Sequence, residues 1–437
     1  MKRLIITICF FLVLGPQGLG HAGVKEDYEQ AYKLYVAAGA CMAAYSDRYG
    51  QLANKYLERE GWRIERFEQV GNMVDARFML ARKQAEDGTQ MFVLAFVGTE
   101  NEKDMLANLR VEKVYFAGGN LEEFAVNAAK QGVPTTEPKI HRGFHEFVQA
   151  GLMVKAPDAD GESKYLTEML LANQERKVYL VGHSRGGAAA TLAGARLISM
   201  GVKPGQIEII TFGAPAVGNA AFAARFEPVL NLTRVVVSGD PVTSVLQTFV
   251  GGYKQFGREV KWENPVSDRP HEMAEYADHA IKDYYDKRYQ ALNEGVIQLP
   301  NRLAGGTGKG RVYIASLKNS LPEPLTKEFW YIEQALRDEY RQSIPEYVFG
   351  DSSAVNRLLK RAGDAGCKWL VVPEIGGYRL KDEPNVFYIS LTQTVYDVAT
   401  GSIVKTGVFS TGTFNLTPLG AFIHVSKGMT YDWLIKK

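Results

Sequence analysis

The pentapeptide Gly182-His183-Ser184-Arg185-Gly186 constrains this chain more than any other feature, because of what stands on either side of it. Before it, Val178-Tyr179-Leu180-Val181 is a β-branched and aromatic apolar run that reads as a buried strand. After it, Gly187-Ala188-Ala189-Ala190-Thr191-Leu192-Ala193 is a helix start made almost wholly of small side chains. A serine at the apex of such a strand-to-helix turn has its hydroxyl pushed outward, with the positive end of a helix behind it. The two glycines serve the turn sterically, since a Cβ at either place collides with the neighbouring strand or helix. The bare Gly-x-Ser-x-Gly pattern arises easily by chance in a chain with 43 glycines, so the strand and the helix carry the reading. Ser184 is therefore expected to be a nucleophile.

The surrounding pattern sets the fold class. Apolar strands are expected at Trp62–Phe67, Ala76–Arg82 and Met91–Phe96, then at Lys177–Val181, Ile207–Phe212 and Thr233–Val237. Helices are expected at Tyr28 to Tyr45, Gly187–Met200 and Asp278 to Tyr289. Strand and helix alternating in this way predict βαβ units and a mainly parallel sheet with helices on both faces; joined to the Ser184 turn, the expected class is an α/β fold of the α/β-hydrolase kind. The stretch Leu299 to Gly310 is rich in glycine and reads as a linker. Beyond it, strands at Val312–Ser316, Tyr347–Phe349 and Trp369–Val372 are interleaved with helices at Thr326–Arg341 and at Ser353 to Ala365, the latter capped by Asp351 or Ser352. A hairpin from Val386–Val398 to Ser402–Ser410 follows. The expected organisation is an amino-terminal signal at 1–22, a hydrolase domain at 23–298, a linker at 299–310 and a smaller α/β domain at 311–437.

The amino terminus predicts export. Lys2 and Arg3 form a basic end, Leu4 to Leu14 an apolar run, and Gly20-His21-Ala22 a small-x-small cleavage site. The apolar run is short for a membrane span. Of the 51 Lys and Arg, two leave with this segment, which balances the remainder against the 49 Asp and Glu. Such a balance gives no electrostatic reason for a nucleic-acid partner. The expected destination is the periplasm, the outer membrane or the medium. Cys9 leaves with the signal, while Cys41 and Cys367 lie in apolar stretches and read as two separate buried thiols. No Cys/His cluster has metal-ligand spacing, so neither a metal site nor a cofactor is expected.

A nucleophilic serine needs a base and an acid, and on an α/β-hydrolase sheet these follow it in the order acid, then histidine. Two histidines qualify, His271 in a polar loop after Arg269-Pro270, and His279 at the mouth of a helix beginning near Asp278. The helix mouth favours His279. For the acid, Asp240 follows the strand Val235-Val236-Val237 through Ser238-Gly239, with Pro241 redirecting the chain. Asp268 and Asp278 are rivals without a strand leading into them. For the oxyanion, the Arg185 amide directly after the nucleophile is one expected donor. Thr99, at the end of the buried Phe96-Val97-Gly98 run, is the other. Asn101 to Leu109 reads as a short amphipathic helix positioned as a lid.

Taken together these segments resemble the class 3 lipase family, the fungal-type triacylglycerol lipases and related phospholipases. The similar features run in order over roughly residues 28–295. They are Phe96–Thr99, Asp104 with Asn108-Leu109, Ile140-His141-x-Gly143-Phe144, Val181 to Gly187, Thr211 to Pro215, Val217-Gly218-Asn219, Asp240-Pro241-Val242, Gly257 to Val260 and Asp278-His279. The resemblance implies Ser184 as nucleophile, Asp240 as acid, His279 as base, and Thr99 with the Arg185 amide around the oxyanion. Four departures stand out: Asp104-Met105 where the family often has an aromatic lid residue, Ala216 for a frequent arginine, Thr243-Ser244 for a usual proline, and an insertion at Tyr115–Pro138. The expected activity is hydrolysis of lipid acyl esters, with short-chain esterase, thioesterase or a non-catalytic envelope scaffold as alternatives. The expected partners are a lipid or acyl-ester substrate, a membrane or lipid surface in peripheral contact, and an envelope protein through residues 311–437. The last domain resembles envelope modules of the curli-secretion or Tol-amino-terminal kind only in its strand-helix-strand order and its Tyr396-Asp397-x-Ala399-Thr400-Gly401 hairpin.

Overall fold

The structure, a computed structural model, describes residues 19–435 apart from 46–56, 59–60, 70–75, 86, 99–110, 153–154, 159–160, 264, 266–267, 300–309, 324, 383–385 and 415. Most of the expected signal, the lid segment, Thr99 and most of the linker lie outside the described residues. Packing divides the chain into two compact units, one of Glu29–Ala280 and the other of residues 19–28 with the chain from Ile281 onward.

In chain order the strands of the larger unit are β1 (Arg63–Gln69), β2 (Ala76–Gln84), β3 (Gln90–Phe96), β4 (Lys113–Tyr115), β5 (Lys139–His141), β6 (Lys155–Pro157), β7 (Ser163–Tyr165), β8 (Lys177–His183), β9 (Ile207–Phe212), β10 (Leu232–Val237) and β11 (Arg258–Trp262). Seven of them make one sheet in the order β1-β2-β3-β8-β9-β10-β11. From β3 to β11 every pairing is parallel, whereas β1, β2 and β3 are joined antiparallel. The expected α/β-hydrolase architecture is therefore present.

The continuous apolar runs of β3 and β8 are explained by burial on both faces. Phe92, Leu94 and Phe96 of β3 join one core with Val178 and Leu180 of β8 and with the helices Arg142–Leu152 and Arg185–Ser199. Met91, Val93 and Ala95 point the other way, into a second core with Tyr179, Val181 and the helix Leu19–Ala44. Each strand thus contributes alternate side chains to two layers, which anchors its register. The segment Tyr115–Pro138 is built into the first core. Asn120 caps its helix Leu121–Ala128, and Phe124 stacks on Phe116, which meets Phe222 and Phe226 edge-on.

The smaller unit has β12 (Val312–Ile314), β13 (Lys318–Ser320), β14 (Tyr347–Phe349), β15 (Trp369–Arg379), β16 (Phe387–Asp397) and β17 (Ile403–Gly412) in one sheet, ordered β14-β12-β15-β16-β17 with β13 also on β15. The sequence predicts a strand ending at Val372, but β15 runs on through Pro373 to Arg379. Proline is tolerated there because β12 pairs with β15 up to Val371 and β13 takes over at Glu374, so no parallel neighbour needs the missing N–H. The helix Val355–Asp364 begins after Ala354 without a side-chain cap, and Asp351 instead pairs with Arg361.

The boundary between units falls inside the helix Met273–Asn293 rather than at the 299–310 linker. The second half of this helix is tied to residues beyond the linker. Arg288 reaches Asp338 at 2.6 Å, Lys282 reaches Glu328 at 2.8 Å, and the Tyr331 hydroxyl donates to Asp286 at 3.2 Å.

Candidate active site

Ser184 occupies the turn between β8 and the helix Arg185–Ser199 with φ 57° and ψ −127°, the one non-glycine with positive φ among the described residues. Such a backbone costs on the order of 1–3 kcal/mol and persists only where the surroundings enforce it. Here they do. The Ser184 amide donates to the Phe212 carbonyl at 2.9 Å, and the Ser184 carbonyl accepts from Gly187 at 3.0 Å. A Cβ on Gly182 falls 2.2 Å from the Gly186 backbone, and one on Gly186 falls 2.2 Å from the Phe96 carbonyl oxygen. Only glycine permits this approach, as the motif implies.

Asp240 follows β10 through a tight turn in which Gly239 has φ 88°. Its amide donates to the Val237 carbonyl at 3.1 Å, and its Oδ1 accepts from the Val242 amide at 2.9 Å. The carboxylate is buried against Gly213, whose missing Cβ leaves room for it: an added Cβ falls 2.7 Å from Oδ2.

The histidine that joins these two residues is His271. Its Nε2 lies 3.0 Å from Ser184 Oγ, and its Nδ1 lies 2.9 Å from each oxygen of Asp240. A carboxylate accepts, so Nδ1 carries the proton and Nε2 turns its lone pair to the serine hydroxyl. Tyr276, fully buried, donates its hydroxyl to Asp240 Oδ2 at 2.6 Å and accepts from the Val237 amide at 3.2 Å. Burial and the adjacent Asp240 carboxylate push the Tyr276 phenol well above its ordinary value.

His279, the expected base, is placed elsewhere. The helix begins at Met273, before the Asp278 start read from the sequence, so His279 lies within it rather than at its mouth. Its ring stacks on Trp262 with centroids 5.1 Å apart, and its Nε2 faces Glu275 at 3.3 Å. His271 is on the loop just before the helix, where a ring can swing to the serine. The signal for the earlier start is Met273-Ala274-Glu275-Tyr276-Ala277, mostly good helix formers. Tyr276 carried no flag in the sequence, and a helix one turn longer brings it onto Asp240.

Of the expected oxyanion donors, Arg185 opens the helix directly after Ser184, and its guanidinium lies over the Phe147 ring at 4.8 Å. Thr99 lies outside the described residues. Gly98 before it is packed close: an added Cβ falls 2.5 Å from the Tyr45 hydroxyl and 2.9 Å from the His183 carbonyl oxygen. Cys41 and Cys367 are both free and buried, and burial pushes the Cys367 thiol up to about 11. A neighbouring serine, a histidine oriented by a carboxylate and a helix amide together can form and break an acyl-enzyme bond.

Known proteins are similar to this chain over part of its length. Residues 93–249 match the class 3 lipase family. Lipase ZK262.3 of Caenorhabditis elegans is 40% identical over 83 residues, 18% of this chain and 24% of that protein. The chloroplastic phospholipase A(1) DAD1 of Arabidopsis thaliana is 29% identical over 164 residues, 36% of this chain and 34% of that protein. The matched stretch is therefore about a quarter to a third of these relatives' own length. Among solved structures, lipase II from Rhizopus niveus aligns over 54% of this chain and 82% of its own, with a TM-score of 0.40 and 21% identity. The stretch that carries Ser184 and Asp240 is therefore similar to the class 3 lipase family.

Proposed function

We propose that this protein is a serine hydrolase of lipid acyl esters. The reading rests on one observation, the unbroken hydrogen-bonded chain from Ser184 through His271 to Asp240. Ser184 Oγ attacks the ester carbonyl carbon while His271 Nε2 takes the hydroxyl proton. Negative charge gathers on the carbonyl oxygen, where the Arg185 amide and Thr99 are the proposed donors. The tetrahedral species collapses as the C–O bond to the alcohol breaks and His271 returns the proton to the departing oxygen. Water then enters and attacks the acyl carbon while His271 takes its proton; the bond to Ser184 Oγ breaks, the carboxylic acid leaves, and His271 returns the proton to Oγ, restoring Ser184. Asp240 holds Nδ1–H throughout and stabilises the transient imidazolium.

Lipid as the substrate class is supported by the named lipase and phospholipase relatives and by the surface of this unit. Phe249 is 82% exposed and Val250 follows it. Lys113 donates to the Gly251 carbonyl at 3.1 Å beside them, so an apolar tip and an ammonium group share one edge. Such a pairing suits a lipid surface. Export through the amino-terminal segment belongs to the same proposal, and amino-terminal sequencing of the protein recovered from outside the cytoplasm tests it.

The experiment that tests the activity is labelling with a fluorophosphonate, followed by a panel of triglyceride, phospholipid, p-nitrophenyl ester and acyl-thioester substrates. Labelling at Ser184, lost in Ser184→Ala together with hydrolysis, is the expected result. Full hydrolysis by the Ser184→Ala protein overturns the proposal, and turnover confined to the short p-nitrophenyl esters or thioesters overturns the lipid assignment alone.

A further inference from the structure

His183 stands beside the nucleophile, and its ring is turned away from the reaction toward the backbone of His271. Its Nε2 lies 2.7 Å from the His271 carbonyl oxygen, and its Nδ1 lies 3.1 Å from the Tyr45 hydroxyl. A carbonyl can only accept, so Nε2 carries the proton. Nδ1 is then a bare acceptor, and the Tyr45 hydroxyl must donate to it. The two bonds select one neutral tautomer. The sequence leaves His271 on a polar loop with no strand or helix to fix it, so its main chain needs an anchor from outside the loop.

We propose that His183 and Tyr45 form a positioning relay that fixes the main chain of His271, and so places its ring for proton transfer with Ser184. The proposal rests on the triad reading above. The relay has a second property that a charged anchor would lack. The rings of His183 and His271 are 4.9 Å apart, so a cation on His183 would oppose the imidazolium that His271 becomes in each half-reaction. Among the described residues, the groups seen against His183 are His271, Tyr45 and the Tyr276 ring at 5.8 Å, none of them an anion. Burial, with His271 adding to it, pulls the His183 imidazole down to about 3. His183 thus holds its neighbour while staying uncharged. Gly98 completes the packing, since a side chain there collides with both the Tyr45 hydroxyl and the His183 carbonyl.

Kinetics of the full chain on p-nitrophenyl butyrate test the relay with three variants. His183→Leu removes the donor, His183→Gln keeps an N–H donor at similar reach, and Tyr45→Phe removes the tautomer lock. A misplaced base lowers kcat without loosening ester binding, so His183→Leu is expected to lose roughly ten- to a hundredfold in kcat with KM within about twofold. His183→Gln is expected to recover most of that loss, and Tyr45→Phe to fall between. Equal kcat in His183→Leu and the parent, or no recovery in His183→Gln relative to His183→Leu, overturns the proposal. An independent readout needs no substitution at the relay: histidine ¹⁵N spectra of the Ser184→Ala protein are expected to show His183 protonated at Nε2 and bare at Nδ1 between about pH 6 and about pH 8. The opposite tautomer, or a charged ring in that range, overturns it even where a variant fails to fold. Activity retained by His271→Ala instead overturns the triad reading itself, which separates the two failures.

Discussion

The Tyr276 hydroxyl sits 2.6 Å from Oδ2 of Asp240, on the side of the carboxylate that the Val242 amide leaves open. The carboxylate is thus held by a phenol, an amide and an imidazole, so its plane is set before substrate arrives. Tyr276→Phe removes the phenol from Asp240 and also strips the Val237 amide of its acceptor. The buried Val237 amide is left without its acceptor while Asp240 Oδ2 keeps only His271 Nδ1, and leaving a buried group unpaired costs about 1–3 kcal/mol. The expected outcome is a lowered denaturation midpoint together with a kcat reduced about tenfold at unchanged KM. Lower stability with unchanged kcat indicates that the phenol serves the fold and not the base.

His271 and His279, the two candidates for the base, are separated by one experiment. His271→Ala removes the group 3.0 Å from Ser184 Oγ and is expected to lower kcat by about 10⁴ or more. His279→Ala removes a ring stacked on Trp262 and is expected to leave kcat within about threefold, with its cost appearing as stability. Steady-state hydrolysis by both purified variants decides the matter, and the reverse ranking sinks the assignment of His271.

What the sequence made legible, and what it hid, follows from the range of the forces involved. The turn at Ser184 was legible because every constraint on it is local: a buried strand, two glycines without room for a Cβ, and a small-residue helix. The sheet strands around it could be read from apolar runs for the same reason. Asp240 was legible because a strand delivers it. The histidine was not, because choosing between His271 and His279 depends on where a helix starts, and helix starts are weakly encoded. One turn of difference moves an imidazole from a loop to a helix interior. Strand β15 was cut short at Pro373 because the exchange of neighbouring strands that accommodates a proline is a tertiary fact. Tyr276 and Tyr45 were unmarked because their roles are hydrogen bonds across long stretches of chain.

The backbone of Ser184 makes a stability expectation that runs against the usual direction of mutation. With φ 57° and ψ −127°, any residue with a Cβ is strained there, and glycine is not. Ser184→Gly is expected to raise stability by about 1 kcal/mol, the relief of strain exceeding the extra entropy glycine brings to the unfolded chain. Ser184→Ala keeps the Cβ and is expected to move stability less. Urea denaturation of the two inactive proteins side by side measures the difference. A Ser184→Gly protein less stable than Ser184→Ala shows that the turn carries no usable strain.

Three buried imidazoles give folding stability a pH dependence of definite sign. Burial lowers His141 to about 4, with Lys113 adding to it. Burial lowers His145 to about 3, with Arg196 and Arg142 adding, and His183 to about 3, with His271 adding. Each ordinarily titrates near 6.5, so between that value and the folded one the unfolded chain binds protons that the folded chain refuses. The stability contributed is present above about pH 6.5 and is lost as pH falls toward about 4 for His141 and about 3 for His145 and His183, at up to about 1.4 kcal/mol per pH unit for each group. The urea midpoint is therefore expected to drop steeply between about pH 6.5 and about pH 5. His141→Asn keeps an acceptor for the Gly143 amide, which now bonds Nδ1 at 3.0 Å, but does not titrate. It is expected to flatten this slope by about one third, and an unchanged slope removes His141 from the set.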